Sequence, residues 1–89
     1  MHSLKIAHRD IKPQNVLVDP EQDHKLALCD FGSAKTLNNP NERSVSYIST
    51  RYYRAPELLF NHDQYGVEID LWAVACVICE MLRNGQAMF

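Results

Sequence analysis

Eighty-nine residues suffice for one small domain, but a chain of this length buries only about 60–65% of the surface its unfolded form exposes, so its own core is marginal. The net charge of −2, with no cluster of Lys and Arg, excludes the electrostatic footprint that a nucleic acid or an anionic membrane requires, and neither is expected as a partner. Three cysteines form no paired framework and Met1-His2-Ser3-Leu4-Lys5-Ile6 lacks a secretory apolar run, which points to a reducing cytosol or nucleus.

In chain order, the first element is a loop. Pro13 biases Lys12 toward an extended conformation and forbids a helix through His8-Arg9-Asp10-Ile11-Lys12-Pro13-Gln14-Asn15, so this stretch should feed a strand. Val16-Leu17-Val18 and Lys25-Leu26-Ala27-Leu28-Cys29 are β-prone runs joined by Asp19-Pro20-Glu21-Gln22-Asp23-His24, which has turn chemistry and predicts a hairpin. Residues 33–54 are polar, rich in Ser and Asn, and carry Asn38-Asn39-Pro40-Asn41 without helical or strand period, so they read as one long mobile loop. Pro56 suits the first turn of a short helix over 57–60, and 61–66 form the next connector. A longer helix is predicted from about Val67 to Arg83, stopping at Asn84-Gly85. Its middle, Leu71 to Cys79, is apolar on every side and asks for burial in a larger body.

That helix is too short for a membrane span, because Asp70 and Glu80 bracket nine apolar residues where about 20 are needed. Cys76-Val77-Ile78-Cys79 has a metal or redox spacing, but no second pair or adjacent His completes a tetrahedral set, and buried Cys commonly acts as a small hydrophobe.

Chemistry concentrates in two places, His8 to Asn15 and Asp30-Phe31-Gly32. If the hairpin strands pair antiparallel, Asn15 and Asp30 leave its open end side by side, with Cα atoms about 5 Å apart. Two hard oxygen ligands then face one point, which suits Mg²⁺ and leaves positions for the phosphates of ATP. Asp10 lies five residues before Asn15, within reach of a substrate hydroxyl, and Lys12 can neutralise charge on a transferred phosphoryl group. The plainer alternative is a surface ion pair between Asp10 and Lys12, with Asp30 a turn residue. Moving a phosphoryl group needs little covalent chemistry but does need this combination of cation ligands and an orienting carboxylate.

Together these stretches resemble the catalytic loop and metal-binding motif of eukaryotic protein kinases, and Ala55-Pro56-Glu57 resembles the motif that closes that family's activation segment. Lys12-Pro13-Gln14-Asn15 resembles the serine/threonine-specific branch. Leu28-Cys29-Asp30-Phe31-Gly32-Ser33-Ala34-Lys35 and Val45-Ser46-Tyr47-Ile48-Ser49-Thr50-Arg51-Tyr52-Tyr53-Arg54 are similar to the glycogen synthase kinase-3 (shaggy) family.

The resemblance implies an α+β fold, a partial kinase domain over residues 1–89 drawn from the larger lobe, and ATP-dependent phosphorylation of Ser or Thr in protein substrates. It implies Asp10 and Lys12 as catalytic residues, Asn15 and Asp30 as Mg²⁺ ligands, and Lys12, Gln14, Asn15, Leu17, Cys29 and Asp30 around the nucleotide, although Leu17 and Cys29 are equally well strand core. Arg9 and Lys35 would bind a phosphate already present on the substrate, and Tyr47 would be an activation-loop tyrosine, phosphorylated by the kinase itself and paired with Arg51 and Arg54. Asp70 would accept backbone hydrogen bonds from the catalytic loop, the plainer reading being a helix-start charge favoured by the dipole. His8 is expected to pack rather than act as a base. Ala75 and Ala87 stand where the family usually has Gly and Pro, which bears on packing more than on chemistry. The Gly-rich loop, the strand lysine and the later helices of a kinase would lie outside the 89 residues, so no turnover is expected from them alone, and the alternative is a silent binding module.

Overall fold

The computed structural model covers Met1–Phe89. Its framework is two small sheets and one long helix. A 3₁₀ turn over His2–Leu4 leads into β1 (Ile6–Ala7), and the catalytic-type stretch crosses to a second 3₁₀ turn at Pro13–Asn15. Lys12 is extended (φ −159°, ψ 163°), as the following proline demands. β2 (Val16–Asp19) and β3 (Lys25–Leu28) form the predicted antiparallel hairpin, with Val16 opposite Leu28 and Asp19 opposite Lys25. Asp19 caps the turn itself: its carboxylate accepts from the Glu21 N–H at 3.0 Å, and Asp23 and His24 take the left-handed conformation that reverses the chain.

The expected side-by-side exit of Asn15 and Asp30 needs correction by one residue. Beyond Val16 and Leu28 the ladder continues with the Cys29 N–H donating to the Asn15 carbonyl at 3.0 Å, so Cys29 faces Asn15. Asp30 follows one position later and turns away at φ 60°.

A second correction concerns residues 33–54, which are not all loop. β4 (Lys35–Thr36) pairs antiparallel with β1, Ala7 opposite Lys35 and Ile6 opposite Thr36, and Arg51–Tyr53 form a 3₁₀ turn. α1 spans Pro56–Leu59 with Pro56 in its first turn, and α2 spans Glu68–Leu82. α2 ends where Asn84 and Gly85 adopt positive φ, and the Gly85 N–H reaches back to the Glu80 carbonyl at 2.9 Å.

α2 organises what core there is. Ala73 and Cys76 pack with Ile11 and Tyr53, while Ile69, a turn earlier, packs with Ala55 and Leu58. These helix positions recur at four and three residues and form one buried stripe. The opposite face stays open, with Leu71 62%, Ile78 52% and Leu82 81% exposed. Between that helix and the hairpin runs an entirely apolar groove of about 460 Å³, lined by Ile11, Val16, Val18, Leu28, Val77 and Ile78 among others.

Candidate active site

The catalytic-type loop is held in place from α2. Asp70, 2% exposed, accepts the backbone N–H of His8 on one carboxylate oxygen at 2.8 Å and that of Arg9 on the other at 2.9 Å. His2 Nε2 makes a third bond to the same carboxylate at 2.8 Å. This grip holds Arg9 at φ 70°, a left-handed conformation that costs a non-glycine residue about 1–3 kcal/mol. Asp70 is thus the buried anchor that the resemblance implied.

His8 is fully buried, and both ring nitrogens are engaged. Nδ1 accepts the Asp10 N–H at 3.2 Å, which leaves Nε2 as the donor to the Cys29 carbonyl at 2.9 Å. Phe31 meets the imidazole edge-on at 5.1 Å. His8 therefore ties the loop to the segment that carries Asp30 and has no lone pair free for proton transfer.

Asp10, Lys12 and Asn15 converge. Lys12 Nζ lies 3.5 Å from Asp10 Oδ2, and Asn15 Nδ2 donates to the Asp10 carbonyl at 2.8 Å and to Oδ2 at 3.3 Å. Thr50 joins them from the far end of the long segment: Lys12 Nζ donates to its Oγ1 at 3.2 Å, and that hydroxyl lies 3.5 Å from Asp10 Oδ1. No local pattern marks Thr50 as part of this group, since 38 residues separate it from Lys12.

The donor types at Asn15 and Asp30 are the hard oxygens that Mg²⁺ takes. With the Asn15 amide N–H groups committed to Asp10, its Oδ1 remains as a hard ligand, 4.0 Å from the Cys29 sulfur. Asp30 supplies an exposed carboxylate, one oxygen of which accepts the Gly32 N–H at 3.3 Å. A Cβ at Gly32 would stand 3.2 Å from that oxygen, so glycine keeps the acid unobstructed. One amide oxygen and one carboxylate leave most of an octahedron for phosphate and water. On the hairpin, Leu17 alternates onto the same face as Asn15 and Cys29, opposite Val16 and Val18, while Gln14 is exposed beside them.

The other expected residues form two separate groups. Lys35 Nζ donates to Ser44 Oγ at 2.9 Å and pairs with Glu42 at 3.0 Å. Arg9 donates from Nε to the Ser33 carbonyl at 2.5 Å and from Nη1 to the Tyr65 hydroxyl at 3.0 Å. Tyr47 is 81% exposed, with the Arg54 guanidinium 4.7 Å from its ring centroid, a cation–π arrangement. Tyr47, Arg51 and Arg54 line a cleft of about 320 Å³ with Leu58, Leu59 and Asn61.

One pair between a buried tyrosine and a half-buried glutamate escaped sequence reasoning. The Tyr53 hydroxyl donates to Glu80 Oε2 at 2.5 Å, and burial, then the Glu80 hydrogen bond and charge, push the phenol up to about 12. This bond ties the 3₁₀ turn before Ala55-Pro56-Glu57 to the last turns of α2.

The protein kinase domain family matches residues 1–89. The chain is 58% identical over 99% of its length to the serine/threonine-protein kinase RIM11/MSD1 of Saccharomyces cerevisiae. It is 55% identical over its whole length to protein kinase MCK1 of the same yeast and to glycogen synthase kinase 1 of Pyricularia oryzae. It spans 22–23% of the length of these relatives. The anchored loop, the converging acid, amide and lysine, and identity of this extent over every residue place the chain in the protein kinase domain family, among kinases of the glycogen synthase kinase-3 type.

Proposed function

We propose that these residues are the larger-lobe part of the catalytic centre of an ATP- and Mg²⁺-dependent kinase that phosphorylates Ser or Thr in proteins of the cytosol or nucleus. The observation that carries this reading is the convergence of Lys12 and Asn15 on the Asp10 carboxylate, at 3.5 Å and 3.3 Å from its Oδ2, at the open end of the hairpin that delivers Asp30.

Asp10 orients the acceptor hydroxyl and takes its proton, while Lys12, held between Asp10 and Thr50, stabilises charge on the phosphoryl oxygens. Asn15 and Asp30 would hold the cation, and Mg²⁺ there would supply positive charge against the phosphate oxygens of ATP. Gln14, Leu17 and Cys29 form the nucleotide-facing surface next to these groups. Thr50 bridges Lys12 and Asp10, accepting from Lys12 Nζ at 3.2 Å and lying 3.5 Å from Asp10 Oδ1.

The resemblance to the glycogen synthase kinase-3 family, to which one relative owes its name, suggests a finer reading of the two flanking groups. Arg9 and Lys35 accept a phosphate that the protein substrate already carries, and Arg51 and Arg54 hold phosphorylated Tyr47. Bidentate guanidinium bonds to phosphate oxygens are the physical basis for both.

The test replaces the matching stretch of full-length Pyricularia oryzae glycogen synthase kinase 1 with these residues and measures phosphate transfer from Mg·ATP to a serine peptide. Transfer is expected to persist in the chimera and to fall roughly 10²–10⁴-fold on Asp10→Asn, the range for loss of a general base. A folded chimera without transfer, or one indifferent to Asp10→Asn, would end the proposal.

A further inference from the structure

Tyr65 lies in the connector between α1 and α2, outside every motif read from the sequence. Its half-buried ring packs against the cluster of Ala55, Leu58 and Ile69. Its hydroxyl makes two bonds at once: it accepts from Arg9 Nη1 at 3.0 Å and donates to the Val45 carbonyl at 2.5 Å. A second anchor, from Arg9 Nε to the Ser33 carbonyl, fixes the other edge of the guanidinium. Three of the five guanidinium N–H groups remain for an anion.

The neighbouring residue of the same segment is gripped by the second cation. Ser44 receives the Lys35 ammonium at 2.9 Å, and its own N–H donates to the Asp63 carbonyl at 2.6 Å. The pairing of Ala7 with Lys35 sets that lysine opposite the residue two positions before Arg9 in the chain. Arg9 and Lys35 thus hold adjacent residues, Val45 through the Tyr65 hydroxyl and Ser44 directly.

We propose that Tyr65 is the positioning residue of the Arg9 and Lys35 phosphate site, its hydroxyl fixing the guanidinium and docking residues 44–45 beside it so that a phosphoserine meets a preorganised pair of cations. The inference rests on the reading of Arg9 and Lys35 as a site for substrate-borne phosphate. A long side chain already held by two bonds loses less rotamer freedom on binding an anion than one held by a single bond. If Tyr65 served packing alone, phenylalanine would serve as well.

The experiment titrates the ¹⁵N-labelled chain with a phosphoserine peptide and its unphosphorylated counterpart, comparing the parent with Lys35→Ala and Tyr65→Phe. Affinity is read from the dispersed amide signals of folded molecules, so a loss of folded population does not enter. The parent should show saturable shifts at Arg9, Lys35 and Val45 with the phosphopeptide alone. Lys35→Ala should weaken this roughly tenfold, and Tyr65→Phe roughly fivefold, the worth of one hydrogen bond. No saturable shift in a parent whose amide signals are dispersed, or an affinity unchanged by Lys35→Ala, would overturn the site itself. Weakening by Lys35→Ala with parental affinity in Tyr65→Phe would overturn the role of Tyr65 and leave the site standing.

Discussion

The Asp70 carboxylate receives the backbone N–H of Arg9 at 2.9 Å across 61 residues of sequence, so the first turn of α2 dictates the backbone of the loop that presents Asp10. Asp70 is 2% exposed and satisfies the His8 N–H and the His2 ring as well. Asp70→Asn replaces one acceptor oxygen by an N–H that faces donors. The cost should be about 2–4 kcal/mol, since bonds to charged groups contribute about 1.5–3 kcal/mol each and unmatched buried donors cost more. Urea unfolding of the variant against the parent measures it.

Tyr53 gives a prediction in alkali. Its hydroxyl has a folded pKa raised to about 12 from an ordinary 10.0, so the phenol of the folded chain binds its proton more tightly than that of the unfolded chain. The stabilisation is complete below pH 10 and is lost as pH rises from 10 toward 12. Tyr53→Phe should remove this component of the pH slope, and below pH 10 should cost about 1–2 kcal/mol through the lost bond to Glu80. Unfolding curves of both chains between pH 8 and about 12, compared as differences, test the sign.

How much of this could be read from sequence depends on range. The hairpin was legible because two β-prone runs flank Asp19-Pro20, and α2 because an apolar run ends at Asn84-Gly85 with positive φ at both. β4 was not, because a strand of two residues has no periodicity and owes its existence to β1, 28 residues earlier at the Ala7 to Lys35 pair. Asp10, Lys12 and Asn15 fall within six residues and their convergence could be argued from Pro13. Thr50, Tyr65 and His2 complete the site over separations of 38, 56 and 68 residues, which no local pattern encodes. The one-residue slip at Asp30 has the same origin: the pairing frame was predictable, the left-handed turn at φ 60° that ends it was not.

The carboxylate of Glu42 sits 3.0 Å from Lys35 Nζ and competes with any anion for that cation. Glu42→Gln removes the competing charge, so phosphoserine peptide affinity should rise by about twofold to fivefold, the worth of a partly exposed ion pair. Amide shift titration reads it. An unchanged or weaker affinity would show that Glu42 does not occupy the anion's place.

The apolar groove between α2 and the hairpin, with Val18 54% and Ile78 52% exposed, should bind the hydrophobic dye ANS and promote self-association at high concentration. Val18→Lys combined with Ile78→Lys should suppress both. Dye fluorescence and light scattering suffice, and dye binding unaffected by the double substitution would locate the sticky surface elsewhere.

The most direct measurement of the site is line broadening of the ¹⁵N-labelled chain by substoichiometric Mn²⁺ in the presence of ATP. Broadening should centre on the Asn15 side-chain amide and on the backbone signals of Asp30 and Asp10 together, and should vanish in Asp30→Asn. Broadening centred away from these three residues, or retained in Asp30→Asn, would contradict a shared cation between Asn15 and Asp30.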